Sequence, residues 1–533
     1  MRAAFARRGA STIRPWSENF KRFPVAAPQW QRSQSTYNHF VKSCKFYALM
    51  QSNLMVNHTS LAKSPFIHEN QPFRDDAGEF TLAVKDNIAT ADFRTQCASG
   101  ILLSHPSPFE ATIVSQLRRR GAVVVGKTNM DEFGMGSHST NSIHGPVRNP
   151  RSPLDEPYSA GGSSGGSAVA VLLGDAEFAL GTDTGGSVRL PAAYTSVVGY
   201  KPSYGMLSRY GVVPYANSLD TVGLLARDAQ DIRRLIFDTD LHLEHDKYDP
   251  TSLSFATRER CFSDRPLPEM SELTIGIPLE YNTAELDPSI RETWIDTASV
   301  LESQGARIVP VSLPSTKQAL SAYYILAPAE ASSNLAKYDG VRYGVRGPGG
   351  DAAGETLYSE ARGAGFGEEV KRRILLGTYS LSSEAMDNYF IKAQKVRRLV
   401  QRDFDRVFKL SNPLYDPVQF DLSEMPEDTN LDDKRGPPQV DFLLTPTAPT
   451  FPPKLSEVKQ QSSVDSYMND ILTVPASLAG IPAVSIPIVI HKNGRFSVGM
   501  QIMGQYSDDM KLLDFANKVQ KLMDDFHDSN INS

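Results

Sequence analysis

Cysteine is scarce: the 533 residues hold three, Cys44, Cys97 and Cys261. None pair as CxxC, so neither a disulfide framework nor a thiol redox pair is available. No run of about 18 apolar residues free of charge occurs, which excludes a membrane-spanning helix. Positive charge is not in excess either. The 55 Lys and Arg against 61 Asp and Glu leave a net charge of −6, no footprint for holding nucleic acid alone. The 37 glycines and 35 prolines are too few for a collagenous or low-complexity chain. What is present is ordinary globular usage, 40% hydrophobic and 22% charged, in a chain long enough for a large core. These features describe a soluble protein of a reducing compartment, large enough to be an enzyme.

Residues 1–34 stand apart. Arg2, Arg7, Arg8, Arg14, Lys21, Arg22 and Arg32 face a single acid, Glu18. Arg-rich, Ser-containing and acid-poor with no apolar h-region is the composition of an organelle transit peptide, which predicts import into the mitochondrial matrix. From about residue 45 the pattern predicts alternating α and β elements. Thr81–Val84 reads as a strand, 110–120 as a helix ending at Gly121, and Ala122–Val125 as a strand closed by Gly126. Leu273–Ile277 and Arg307–Val311 are expected strands. Between them, Ile290, Trp294, Ala298 and Leu301 recur at helical spacing before Gly305. Val484–Ile490 and Phe496–Ile502 bracket a Lys-Asn-Gly turn and predict a hairpin. Asp508 is the expected cap of a last helix with apolar face Leu512, Phe515, Val519 and Leu522. The expected fold is α/β, with one mixed sheet covered by helices. Residues 241–270 read as a surface excursion. Residues 411–439, with five prolines and seven acids, read as an acidic loop inserted in the domain.

The chemistry is expected between residues 81 and 227. The stretch 158–191 reads YSAGGSSGGSAVAVLLGDAEFALGTDTGGSVRLP. Its two glycine-serine clusters let backbone NH groups converge as an anion-holding nest. Neither cluster has the lysine spacing of a phosphate loop or the GxGxxG of a dinucleotide site. Neither is a linker, because Ala168–Leu173 and Val188–Val198 are core-like. That leaves a nucleophilic serine with an oxyanion hole. A serine needs a base. His138 and His144 lie nearest in sequence, but no Gly-x-Ser-x-Gly elbow follows a clear strand. The other base able to serve a serine is a neutral lysine. Lys85, at the end of the apolar run, can lose charge by burial.

LAVKDNI at 82–88, GGSSGGSA at 161–168 and GTDTGGSVRLPA at 181–192 resemble the amidase signature family, as does 197–227. The resemblance covers about residues 45–525 and implies a single large α/β domain, a mixed β-sheet covered by helices on both faces, with a Ser-Ser-Lys triad. By motif position, Ser187 is the nucleophile, Ser163 the bridging serine after a cis peptide bond, and Lys85 the base. NH groups of Thr184, Gly185, Gly186 and Ser187 supply the oxyanion hole. KTNMDEFGMGSHSTNS at 127–142, YYILAPAEASSNLAKYDGVRYG at 323–344, EVKRRILLGTYSLSS at 369–383 and YMNDILTVPASLAGIPAVSIP at 467–487 are similar to one subgroup. That subgroup comprises the A subunits of tRNA-dependent glutamyl-tRNA(Gln) amidotransferases. It implies that Arg373 (or its neighbour Arg372) and Asp470, with Tyr324 nearby, hold free glutamine. It also implies a B subunit that uses ATP and Mg²⁺ to activate Glu-tRNA(Gln), a small C-type subunit, and no cofactor or metal in this chain. The alternative is a stand-alone amidase acting on another small amide. Two departures from the subgroup are His138, where a serine is usual, and the long acidic insert.

Overall fold

The structure is a computed structural model that describes residues 30–31, 36–44, 78–103, 106–153, 155–262, 266–346, 357–414, 439–488 and 495–531. Apart from Trp30 and Gln31, the expected leader lies outside the described residues, as do 415–438 of the acidic segment.

Twelve strands form one sheet. In chain order they are β1 (Trp30–Gln31), β2 (Phe40–Cys44), β3 (Phe80–Lys85), β4 (Ala122–Thr128), β5 (Phe178–Asp183) and β6 (Val198–Lys201). The rest are β7 (Thr221–Ala226), β8 (Thr274–Pro278), β9 (Arg307–Val311), β10 (Phe442–Pro446), β11 (Ala483–Ile488) and β12 (Val498–Met503). The spatial order is β1-β2-β4-β3-β5-β7-β6-β11-β12-β10-β8-β9. Two parallel blocks, β4-β3-β5 and β10-β8-β9, are joined by antiparallel pairs, so the sheet is mixed as expected. The sheet begins earlier than residue 45, because β2 pairs with β4 and β1 with β2.

Side-chain alternation puts helices on both faces. Leu82, Val84, Leu180 and Leu224 join the main core, whereas Ala83, Ala179 and Leu225 face the other way. That second face buries Ala168, Ala170 and Val171 of the helix Gly165–Leu173 and Ala192 of the helix Arg189–Thr195. Lys85, two residues beyond Ala83, shares this face.

Most expected elements occur with shifted ends. The helix before Gly121 spans Thr112–Arg118, and the helix between β8 and β9 spans Pro288–Ser303. β11 and β12 pair antiparallel, with their connecting turn outside the described residues. Asp508 directly precedes the helix Asp509–Ile531, which buries Leu512, Phe515 and Val519 and half-buries Leu522. Gly126 does not close β4. The strand runs on to Thr128, and the register slips where Leu82 faces Val124 but Ala83 faces Gly126, leaving Val125 as the extra residue of a bulge. Nor is 241–270 only a surface excursion. Arg258 is buried there and donates to the carbonyls of His242, Leu253 and Met206, fastening the segment to the core. An apolar pattern could not reveal an anchor made by a charged side chain. No described helix is long and apolar enough to cross a membrane.

Candidate active site

β3 delivers Lys85 into the interior with no solvent exposure. Its Nζ donates to Ser163 Oγ at 2.7 Å, Ser164 Oγ at 2.8 Å and Thr182 Oγ1 at 2.9 Å. Burial pushes its pKa down to about 7, against the opposing pull of Asp131, Asp183 and Asp220. A sizeable neutral fraction at physiological pH makes this amine a base. The positive end of the helix Gly165–Leu173, which begins two residues after Ser163, works in the same direction. The Gly162–Ser163 bond is cis.

Ser187 lies between β5 and the helix Arg189–Thr195 and is partly exposed. Its carbonyl accepts from Ser164 N–H at 3.1 Å, which ties the two serine loops together. The Ser187 hydroxyl bonds to no protein group among the described residues, so the relay is joined from Lys85 to Ser163 and open at its last step. The N–H groups of Gly185, Gly186 and Ser187 likewise donate to no protein acceptor among the described residues. They remain available to an oxyanion. The loop is clamped from several sides. Thr184 Oγ1 donates to Asp220 at 2.6 Å, and Thr473 Oγ1 donates to the Gly185 carbonyl at 2.7 Å. Gly186 has φ +149°, and a Cβ there would lie 2.2 Å from Thr473 Oγ1. Only glycine fits. Beneath it, Asp183 and Arg189 form a fully buried ion pair at 2.8 Å.

A second group of side chains stands over this floor, and all its members come from helices or loops. Asp470 accepts from Tyr324 Oη at 2.8 Å and Ser137 Oγ at 3.0 Å. Burial pushes its pKa up to about 6, and the Tyr324 bond and the Arg373 charge limit the rise. Arg373 is 3% exposed on the helix Glu368–Ser380. Tyr215, Tyr324 and Tyr467 ring its guanidinium, with centroids 5.3 to 5.7 Å from Cζ. Arg372 is exposed and pairs with Glu369 outside the ring. Of the two candidates, Arg373 is therefore the one inside the aromatic ring. Its helix can approach because Gly377 packs on the Pro328 carbonyl of the helix that carries Tyr324; a Cβ at Gly377 would sit 1.9 Å from that oxygen. A cleft of about 1020 Å³, lined in part by Ser137, Glu369, Arg372, Arg373 and Tyr467, opens onto this group; the triad lies outside its lining.

His138 is not a base for Ser187. Its Nε2 accepts from Asn469 at 3.1 Å and its Nδ1 meets Ser159 Oγ at 2.9 Å. Burial holds its pKa down at about 4, so it stays neutral. Ser137 and His138 thus brace Asp470 and Asn469 in turn. His144 lies in the same loop, partly buried. Sequence reasoning missed Ser164, Thr182, Tyr215, Glu369, Tyr467 and Thr473. All six lie within the stretches that carry the resemblance, yet nothing in those stretches marks their places in the site.

A family description, Amidase, matches residues 80–513. The chain belongs to the amidase family. The amidase match takes in every strand from β3 to β12 and all the side chains described above. Among curated relatives, the mitochondrial A-type subunit of glutamyl-tRNA(Gln) amidotransferase from Fusarium vanettenii is 70% identical, covering 87% of this chain and 91% of its own length. The protein of the same description from Neurospora crassa is 59% identical over 83% of this chain and 90% of its own length. Among solved amidase-family structures, the A-type subunit of glutamyl-tRNA(Gln) amidotransferase from Thermotoga maritima superposes with a TM-score of 0.64. It is 36% identical and covers 83% of each chain.

Proposed function

We propose that this amidase-family chain is the glutamine-hydrolysing A-type subunit of a mitochondrial glutamyl-tRNA(Gln) amidotransferase. One observation supports the chemistry above all: a buried, partly neutral Lys85 amine 2.7 Å from the Ser163 hydroxyl. The relatives' descriptions and the Arg373–Asp470 pocket support the substrate.

Free glutamine sits with its α-carboxylate on Arg373 and its α-ammonium on Asp470, beside Tyr324. Arginine suits the first task because its planar N–H groups match a carboxylate. Lys85 takes the Ser163 proton, and Ser163 takes the Ser187 proton as Ser187 Oγ attacks the side-chain amide carbon. The oxyanion meets the N–H groups of Thr184, Gly185, Gly186 and Ser187, each such donor typically stabilising the transition state by about 3–4 kcal/mol. The proton on Lys85 returns through Ser163 to the amide nitrogen. The C–N bond breaks, ammonia leaves, and a glutamyl ester on Ser187 remains for water to hydrolyse. The ammonia then passes to a partner B subunit, where ATP and Mg²⁺ activate Glu-tRNA(Gln). A small C-type subunit, or an equivalent, braces the pair. The whole is a carbon–nitrogen ligase with glutamine as amido donor, and this chain contributes no cofactor.

The test is to purify the protein with its bound partners and supply Glu-tRNA(Gln), ATP and Mg²⁺. Gln-tRNA(Gln) is expected only when glutamine is added and only with Ser187 intact. Hydrolysis of aliphatic amides with no response to glutamine would replace this reading with that of a stand-alone amidase.

A further inference from the structure

Arg373 is held on two of its three nitrogens. Its Nε donates to Glu369 Oε1 at 2.7 Å, and its Nη1 donates to Tyr215 Oη at 2.7 Å. A guanidinium has five N–H bonds in one plane. These two contacts fix that plane and leave three N–H bonds, two on Nη2 and one on Nη1, with no protein acceptor among the described residues. The N–H bonds left for a carboxylate are therefore the two on Nη2 and the remaining one on Nη1.

Glu369 is also tied to the other half of the pocket. It accepts from Tyr467 Oη at 3.1 Å, Tyr467 stacks on Tyr324 with centroids 3.9 Å apart, and Tyr324 donates to Asp470. Arg372 pairs with Glu369 from the solvent side, so the three groups keep one net positive charge. Tyr215 leads to the floor. Tyr323 lies next to it, and its ring occupies the space a Cβ on Gly185 would need.

We propose that Glu369, together with Tyr215, is a positioning residue that aims Arg373 and thereby makes the site selective for an amide bearing a free α-carboxylate. This deepens the glutamine reading above and rests on it. An ordinary pair one helical turn apart would only add a little helix stability. Here both acceptors instead hold the guanidinium in the plane its ligand needs, and such preorganisation acts on binding and discrimination.

The experiment compares L-glutamine with 4-aminobutanamide, the same amide without the α-carboxylate, using the full chain in complex with its partners. In Glu369→Ala, KM for glutamine is expected to rise about tenfold or more, with a smaller change in kcat. KM for 4-aminobutanamide should hardly move, so discrimination between the two falls about tenfold. Glu369→Gln keeps an oxygen opposite Nε and should restore most of the discrimination; Tyr215→Phe should lose part of it. If Glu369→Ala and Tyr215→Phe lower kcat/KM for both amides by the same factor, the role is merely structural and the proposal fails. If the wild-type complex does not hydrolyse glutamine at all, the substrate reading itself fails, which is a separable result.

Discussion

The floor and the wall of the site are built differently. On the floor, Lys85, Ser163 and Ser187 come from one strand end and two glycine-rich turns that feed short helices. Each turn is a continuous piece of chain, and its parts are fixed by backbone contacts and by close approaches that only glycine permits. On the wall, Tyr215, Tyr324, Arg373 and the pair Tyr467 and Asp470 come from four separate segments, joined through side-chain hydrogen bonds and stacked rings. Chemistry that must hold a few atoms to a fraction of an ångström is assigned to backbone. Recognition, which tolerates more play, is assigned to side chains that could be exchanged one at a time.

This contrast breaks if the two groups respond alike to mutation. The largest effect is expected from Ser187→Ala and Lys85→Ala, each lowering kcat for amide hydrolysis by about 10⁴-fold or more in a folded protein. Near-normal turnover in folded Ser187→Ala would overturn the triad. Arg373→Ala should instead raise KM for glutamine by about 10²-fold, with a smaller loss of kcat. Steady-state kinetics on both variants checks the division. If Arg373→Ala acted only on kcat, the wall would be part of the chemical machinery.

The pH dependence should sharpen the same contrast. On the proposed mechanism Lys85 works as the free amine, so kcat should rise with pH through about 7 and fall below it. On the proposed reading Asp470 binds as the carboxylate, so KM for glutamine should rise as pH falls through about 6. Two limbs in separate parameters are expected, and Asp470→Asn should remove the second while leaving the first.

The smallest effect concerns Glu132. Its carboxylate accepts from Gly367 N–H at 2.8 Å, capping the helix that carries Arg373, and from Ser99. Burial raises its pKa to about 7, partly countered by those bonds. The folded state thus binds this proton more tightly than the unfolded state, and stability contributed by the neutral acid is lost as pH rises from about 4.5 to about 7. Glu132→Gln should flatten that slope in thermal unfolding and raise KM about twofold through a weaker cap. An unchanged slope would show that Glu132 does not titrate in this range.

The floor was legible in the amino-acid sequence because glycine-serine turns are unusual and their chemistry is demanding. Lys85 was legible because it ends an apolar run, and the resemblance assigned its role. The wall was legible only through resemblance. The choice between Arg372 and Arg373 could have been made from helical phase: Val370, Arg373, Gly377 and Ser380 are all buried and recur at spacings of three and four. Glu369 and Tyr215 carried no signal, because a carboxylate one turn from an arginine is commonplace on helix surfaces. The bulge at Val125 was hidden for a different reason, since Gly126 looks the same inside a strand as at its end.

Thr473 sets a boundary for anyone who wishes to redesign this pocket for a new amide. Its hydroxyl holds the Gly185 carbonyl, its N–H binds the Asp470 carbonyl, and its own carbonyl receives Arg189. The proposed ammonium seat and oxyanion cradle therefore hang from one hinge pin. Exchanging Arg373 or its aromatic box retunes what is admitted, but reshaping the backbone around 470 would drag the cradle out of line. A library meant to widen the diet of this enzyme should spare that threonine and vary the helix Glu368–Ser380 instead.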